Sequence, residues 1–166
     1  VAHVRSTPRV FVDLDGVLAD FDKGAEHLLG IKTSRDNEPI GLWRAIAHHG
    51  NFFAALPEMP EMHRLWDGIR EVCPTPVVLT GMPMIKGACE QKTQWVREHL
   101  GLFQVICTAS REKYKHARPG DILIDDWAKY IQPWVKAGGT FIQYKNVDQA
   151  LQDLKWVLSQ EEASGV

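Results

Sequence analysis

Val10-Phe11-Val12-Asp13-Leu14-Asp15-Gly16-Val17-Leu18-Ala19-Asp20 is an apolar run that ends abruptly in two carboxylates and a glycine. Val10, Phe11 and Val12 favour β structure and show no polar alternation, the pattern of a strand covered on both faces in the centre of a parallel sheet. Asp13 then stands at the strand's C-terminal edge, where open α/β sheets bind ligands. Gly16 allows the tight turn that lets the Asp13 and Asp15 carboxyls face one point. Taken alone, the stretch is also what any strand followed by an Asp/Gly turn looks like.

A second acidic pair changes that balance. Asp121-Ile122-Leu123-Ile124 is another short apolar run, and it leads into Asp125-Asp126. Two such strands side by side in a parallel sheet would gather the four acids Asp13, Asp15, Asp125 and Asp126 at one edge. Like charges at that distance raise each other's pKa and work against folding, unless a cation or shared protons offset them. A hard, oxygen-seeking ion such as Mg2+ is the simplest resolution, since it is held by one or two carboxylates together with water and substrate phosphate. No His/Cys set competes: His48 and His49 have no partner at ligand spacing and read as a helix-end pair.

The 166 residues suffice for one domain with a full core and a small insertion, and are short for two independent domains. A hydrophobic fraction of 45% beside 24% charged residues is ordinary globular composition. The formal charge of -2 argues against a nucleic-acid polymer as partner, because such surfaces need many phosphate-neutralising Lys and Arg. Cys73, Cys89 and Cys107 are odd in number and widely spaced, which predicts buried free thiols in a reducing compartment. No apolar run reaches transmembrane length and residues 1–8 lack a signal-peptide core, so the chain reads as cytoplasmic, with no membrane partner.

Beyond the first strand, Asp20 is an N-cap candidate and Gly30 a stop for a helix over 20–30. Residues 31–37 are turn-like, a second helix is expected over 38–49 with Ile40, Trp43, Ile46 and Ala47 on one face, and a third from 61 towards 72. Some fifty residues between two strands exceed an ordinary βα connection, which predicts a small helical cap over the sheet edge. Further strands are expected at 77–79, 105–107, 122–124 and 140–144, with helices over 85–100, through Tyr130 and Trp134 towards 138, and over 147–158, the chain fraying from 161. Trp127 and Trp134, seven apart, read as a packing stripe. Strands alternating with helices give an α/β fold, a three-layer Rossmann-like parallel sheet. Residues 1–19 and 74–166 would form the core and 20–73 the cap.

Asp13, Asp15, Thr80, a lysine near 113 and Asp125 each fall just beyond an expected strand end. This ordered series resembles the haloacid dehalogenase (HAD) superfamily, on Asp13-Leu14-Asp15-Gly16-Val17, Leu79-Thr80-Gly81, Lys113 and Ile124-Asp125-Asp126. The lysine signature is the loosest: Lys113 is preferred to Lys115 for its interval to Ala117-Arg118-Pro119-Gly120. The resemblance implies a Mg2+-dependent phosphomonoesterase acting through an aspartyl-phosphate. Asp13 would be the nucleophile and Asp15 the acid and base, the superfamily's dehalogenases lacking an Asp at that second position. Thr80 and Lys113 would bind phosphate. Asp13, the Asp15 backbone carbonyl and Asp125 would ligate the metal, with Asp126 holding a metal-bound water.

Within the superfamily, the extended first signature through Phe21, Asn51-Phe52-Phe53 with Leu56-Pro57, and Gln94-Trp95-Val96-Arg97-Glu98-His99-Leu100-Gly101 resemble the 5'(3')-deoxyribonucleotidase-like group. That likeness implies a nucleotide substrate with Phe21, Phe52 and Phe53 around the base; Trp43 and Gly81 join them as candidate substrate-binding residues. Two features depart from the group: Gly81-Met82 follows Thr80 where Ser-Pro is common, and the stretch from Thr108 to Asp125 is longer. The alternatives left open are a phosphatase for another small phosphomonoester, such as a sugar phosphate, and a non-catalytic phosphate-sensing or partner-binding protein. An intact Asp13/Asp15 pair argues against the last, since a binding module needs no acid/base carboxylate.

Overall fold

A computed structural model describes residues 7–164 of the chain. The stretch read above for leader character lies, through residue 6, outside the described residues, as do residues 165–166. The elements are β1 (Val10–Val12), α1 (Phe21–Leu29), α2 (Leu42–His49), α3 (Met62–Val72), β2 (Val77–Gly81), α4 (Ala88–His99), β3 (Val105–Thr108), β4 (Ile122–Asp125), α5 (Ile131–Lys136), β5 (Thr140–Gln143) and α6 (Val147–Ser164). Short 3-10 helices at Ser110–His116 and Ala128–Tyr130 complete them. All five strands run parallel in the order β3-β2-β1-β4-β5.

The expected α/β architecture is present. Val10, Phe11 and Val12 are all buried because the sheet is covered on both faces. Val10, Val12, Val78, Ile122 and Ile124 pack with α1, α2, α3, α4 and α6, whereas Phe11, Leu79 and Leu123 face the other way, onto Trp134 of α5. This alternation is the two-residue period of a strand. Edge-on contact of the Phe11 and Trp134 rings, 5.6 Å between centroids, anchors the thinner layer. The order of the strands puts β1 in the middle, flanked by β2 and β4, so Asp13, Thr80 and Asp125 emerge from neighbouring strand ends.

Helix punctuation follows local chemistry. Asp20 caps α1 by accepting the Lys23 N–H at 3.0 Å, and Gly30 closes it in the left-handed conformation, φ +69°. α1, α2 and α3 all lie between β1 and β2. The chain leaves and re-enters this insertion along paired stems: the Asp20 N–H donates to Pro57 O and the Met59 N–H to Leu18 O. α3 also packs on α6, so closely that a Cβ on Gly68 would meet Leu151 at 2.6 Å.

Four expectations change. α2 starts at Leu42 and buries Leu42 and Ile46, while Ile40, ahead of the helix, and Trp43 and Ala47 are exposed instead of sharing a buried face with Ile46. Cys89 and Cys107 form a disulfide rather than free thiols: the β2–α4–β3 crossover brings the first turn of α4 against β3, with Cα atoms 6.0 Å apart, a proximity that spacing along the chain does not reveal. Cys73 alone is free among the described cysteines. Trp127 and Trp134 do not form one stripe, because Trp127 precedes the 3-10 turn in an extended conformation, outside the helical phase of α5. α6 continues past 161 to Ser164. No helix of the described residues is long and apolar enough to cross a membrane.

Candidate active site

Asp13 begins where the β1 ladder is prolonged by its own N–H, which donates to Ile124 O at 2.9 Å. Its Oδ1 accepts the Leu14 N–H and the Lys113 ammonium, both at 2.9 Å. Lys113 comes from the 3-10 helix after β3, is 3% exposed, and also donates to Asp125 Oδ2 at 2.9 Å. Lys115, two residues on, pairs with Glu112 on the exposed surface. The 3-10 turn is what separates the two lysines, one inward and one outward.

Asp13, Asp125 and Asp126 each offer a carboxylate oxygen within 4.8 Å of the others, a set able to hold a metal ion. Burial first, and the Asp125 charge second, push the Asp13 carboxyl well above the usual range, with Lys113 opposing them. Asp126 is raised too, foremost by burial, and its Oδ1 is buried without a hydrogen-bond partner. For Lys113, burial alone would lower the pKa, but Asp13 and Asp125 outweigh it and the group is held as a cation. Raised acids, an orphaned oxygen and an all-oxygen donor set are what a hard divalent cation would relieve, so these residues fit such an ion. Gly16, at φ +86°, lets the turn pass against Asp126: a Cβ there would meet Asp126 Oδ2 at 2.4 Å.

Asp15 projects to a different partner. Its Oδ2 accepts the Lys92 ammonium at 2.9 Å, and Lys92 also donates to Thr80 Oγ1 at 3.0 Å and Gly81 O at 2.6 Å. Lys92 stands on α4, is 2% exposed, and its ammonium lies 4.8 Å from the Phe53 ring centre. Sequence reasoning missed this residue. The only signal was a lysine at a position of α4 whose helical neighbours Ala88, Trp95 and Val96 are apolar core.

These groups line a cavity of ≈ 470 Å³, with Asp13, Asp15, Gly81, Lys92, Lys113, Asp125 and Asp126 at its base. Phe21 and Trp43 line its cap side, their ring centres 5.8 Å apart, and the Trp43 indole donates to Glu38. Phe53 reaches the wall, whereas Phe52 is buried between Phe21 and Phe53 and is not part of the lining. Arg35, in the loop joining α1 to α2, crosses the mouth to bond Asp126 Oδ2 at 2.7 Å, with its guanidinium 4.3 Å from the Trp127 ring centre. Ser110 fills the space beside Gly81, its Oγ 2.0 Å from where a Cβ on that glycine would stand.

Carboxylates on adjacent strand ends, a lysine between them and an inserted helical cap define a catalytic hydrolase of the HAD superfamily, equipped for phosphate ester chemistry. The family model described as "5' nucleotidase, deoxy (Pyrimidine), cytosolic type C protein" matches residues 31–157, and the chain belongs to this family. The matched segment carries Thr80, Lys92, Lys113, Asp125 and Asp126 and begins after Asp13 and Asp15. No curated protein matches the chain.

Solved structures share its fold. A hydrolase from Streptococcus pneumoniae TIGR4 is 12% identical, with a TM-score of 0.55 over 90% of this chain and 100% of that one. The L-2-haloacid dehalogenase of Xanthobacter autotrophicus, also 12% identical, has a TM-score of 0.55 over 97% and 84%. CbbY from Rhodobacter sphaeroides, solved in complex with phosphate, is 14% identical with a TM-score of 0.52 over 85% and 87%.

Proposed function

We propose that the protein is a Mg2+-dependent 5'-nucleotidase acting on deoxynucleoside monophosphates, with Asp13 as nucleophile. The observation that carries this reading is the division of labour at the cavity base: Asp13 lies with Lys113 and the acidic cluster, while Asp15 is held apart by Lys92. Asp13, Asp125 and Asp126, with the Asp15 backbone carbonyl, would hold the ion. When bound, Mg2+ supplies positive charge that offsets repulsion between carboxylate and phosphate.

Asp13 attacks phosphorus through a carboxylate oxygen, forming the Asp13–phosphate bond as the bond to the leaving oxygen breaks. Leu14 N–H and Lys113 both hold Oδ1, so neither donor occupies Oδ2. Asp15 gives its proton to the leaving alkoxide, then takes one from the water that attacks the aspartyl-phosphate, returning Asp13 and releasing phosphate. Thr80 Oγ1 and Lys113 donate to the phosphate oxygens. The cap that covers this step is the 20–73 insertion: α1, α2 and the loop between them form the substrate side, while α3 doubles as a layer of the core. Phe21 and Trp43 offer flat surfaces for a base, with Phe53 deeper in the wall. The family's printed description and this aromatic, partly charged mouth both favour a nucleotide over a sugar phosphate.

The test is phosphate release from a panel of nucleoside 5'- and 3'-monophosphates and sugar phosphates, with Mg2+ or EDTA, for the wild type and Asp13→Asn. Metal-dependent turnover concentrated on deoxynucleoside 5'-monophosphates and lost in Asp13→Asn is expected. Turnover spread evenly over sugar phosphates would overturn the nucleotidase, and turnover surviving in Asp13→Asn would overturn the mechanism.

A further inference from the structure

Lys92 is buried, holds Asp15 apart from the acidic cluster, and takes no part in the bond-making steps above. Taking an ammonium out of water is costly, and an apolar side chain would fill the same place among Ala88, Trp95 and Val96. Instead its three N–H bonds go to three acceptors, Asp15 Oδ2, Thr80 Oγ1 and Gly81 O; Asp15 and Gly81 line the cavity, and Thr80, next in the chain to Gly81, is fully buried behind it. An ammonium has three donors and no acceptor, so this set is saturated. Lys92 therefore cannot take a phosphate oxygen without surrendering one of them.

Two consequences follow for the groups it holds. Asp15 is pinned through Oδ2, and its Oδ1 is a buried oxygen with no hydrogen-bond partner, left for a proton in transit. Thr80 spends an Oγ1 lone pair on Lys92, and its own hydrogen finds only Gly81 O at 3.4 Å, too long for a good bond and readily redirected to a ligand. The two carboxylates of the first signature thus have different lysines, Lys113, shared with Asp125, for Asp13 and Lys92 for Asp15.

We propose that Lys92 is a positioning residue which fixes the Asp15 carboxyl for proton transfer and turns the Thr80 hydroxyl into a donor towards the substrate phosphate. This rests on the phosphatase reading above. A residue that positions a general acid matters most when the leaving group is a poor one, a dependence that a purely structural lysine would not produce.

The experiment compares kcat/KM for wild type and Lys92→Met on aryl phosphates of similar size, from p-nitrophenyl phosphate to phenyl phosphate, with saturating Mg2+. Because kcat/KM reports only steps through phosphoryl transfer to the enzyme, it isolates the acid role. The expected result is a loss about tenfold greater or more on phenyl phosphate than on p-nitrophenyl phosphate. A pre-steady-state burst of p-nitrophenolate should also appear as the base-assisted second step slows. Equal losses on both esters, or none, would overturn the proposal. Wild-type enzyme that releases phosphate from neither these esters nor any nucleoside monophosphate would instead overturn the phosphatase reading, and this proposal with it. If thermal melting shows that Lys92→Met does not fold, Lys92→Gln carries the same comparison.

Discussion

The Lys113 ammonium lies 2.9 Å from Oδ1 of Asp13, although the two residues are a hundred positions apart in the chain. The same nitrogen reaches Asp125 Oδ2, so one buried cation offsets two buried carboxylates. Lys113→Met should cost about 3–5 kcal/mol of stability, because it leaves charges buried without a partner. Activity should fall about 10²-fold or more. Chemical denaturation and steady-state kinetics on one preparation would check both. A variant as stable as the wild type would mean that the acids are already protonated or otherwise neutralised.

Mg2+ should stabilise the fold, and increasingly so as pH rises. The folded-state pKa values of Asp13 and Asp126 are raised, so their contribution to stability is present at low pH and is lost as pH climbs through those raised values. A cation that favours the ionised forms offsets that loss. The Tm gain on adding Mg2+ should therefore be small near pH 4 and larger at pH 7, where the stabilisation reaches about 2.7 kcal/mol at a hundred times Kd. EDTA should reverse it. A gain independent of pH would show that the acidic cluster is not where the ion binds.

Gly16→Ala tests the close approach of the first turn to Asp126. A methyl group there meets both an unfavourable φ of +86° and Asp126 Oδ2 at 2.4 Å. The variant should lose about 1–3 kcal/mol and require more Mg2+ for half-maximal activity. An unchanged metal requirement would separate this turn from the metal site.

Asp121 belongs to the opposite end of β4. Its carboxylate accepts the Arg9 N–H, the Arg9 guanidinium at 2.6 Å and the Arg118 N–H at 2.8 Å, and only 3% of the residue is exposed. Asp121→Ala should cost about 3 kcal/mol while leaving the KM of the folded enzyme within about twofold. A large KM change would mean that this pair communicates with the site.

Glu58 joins the stem of the cap to α4. Its Oε2 meets His63 Nε2 at 2.8 Å and His99 Nδ1 at 3.0 Å. Burial alone would raise its pKa, but the His99 and His63 contacts outweigh that and lower it. A lowered folded-state value means stability present above the unfolded carboxylate pKa and lost as pH falls through the folded one. Thermal melts from pH 3 to 6 should show Glu58→Gln converging on the wild type at the acid end and falling below it towards pH 6. A constant difference across that range would remove Glu58 as the titrating group.

Much of the site was legible because it is built from strand ends. An apolar triplet followed by an acid fixes where a buried strand must stop, and Val10–Val12, Ile122–Ile124 and Val77–Leu79 each deliver their polar residue to the same edge. The parallel arrangement does the rest. Lys113 was harder, since a lysine in a polar segment reads as surface; only the 3-10 turn decides that it points inward and Lys115 outward.

Arg35 and the Cys89–Cys107 bond left no usable local signal, and Lys92 left only its place on an apolar helix face. Lys92 is a residue type that reads as solvated despite its place beside Ala88, Trp95 and Val96, and Arg35 lies in a loop that reads as an ordinary turn. The sequence by itself determined the strands, the helix caps at Asp20 and Gly30, and the four acids at one edge, because those depend on residues a few positions apart. Only the tertiary structure decided which lysine each carboxylate receives, which aromatic rings face the cavity and which cysteines meet. Those depend on how crossover helices lie across the sheet, a relation between segments that no short stretch of chain contains.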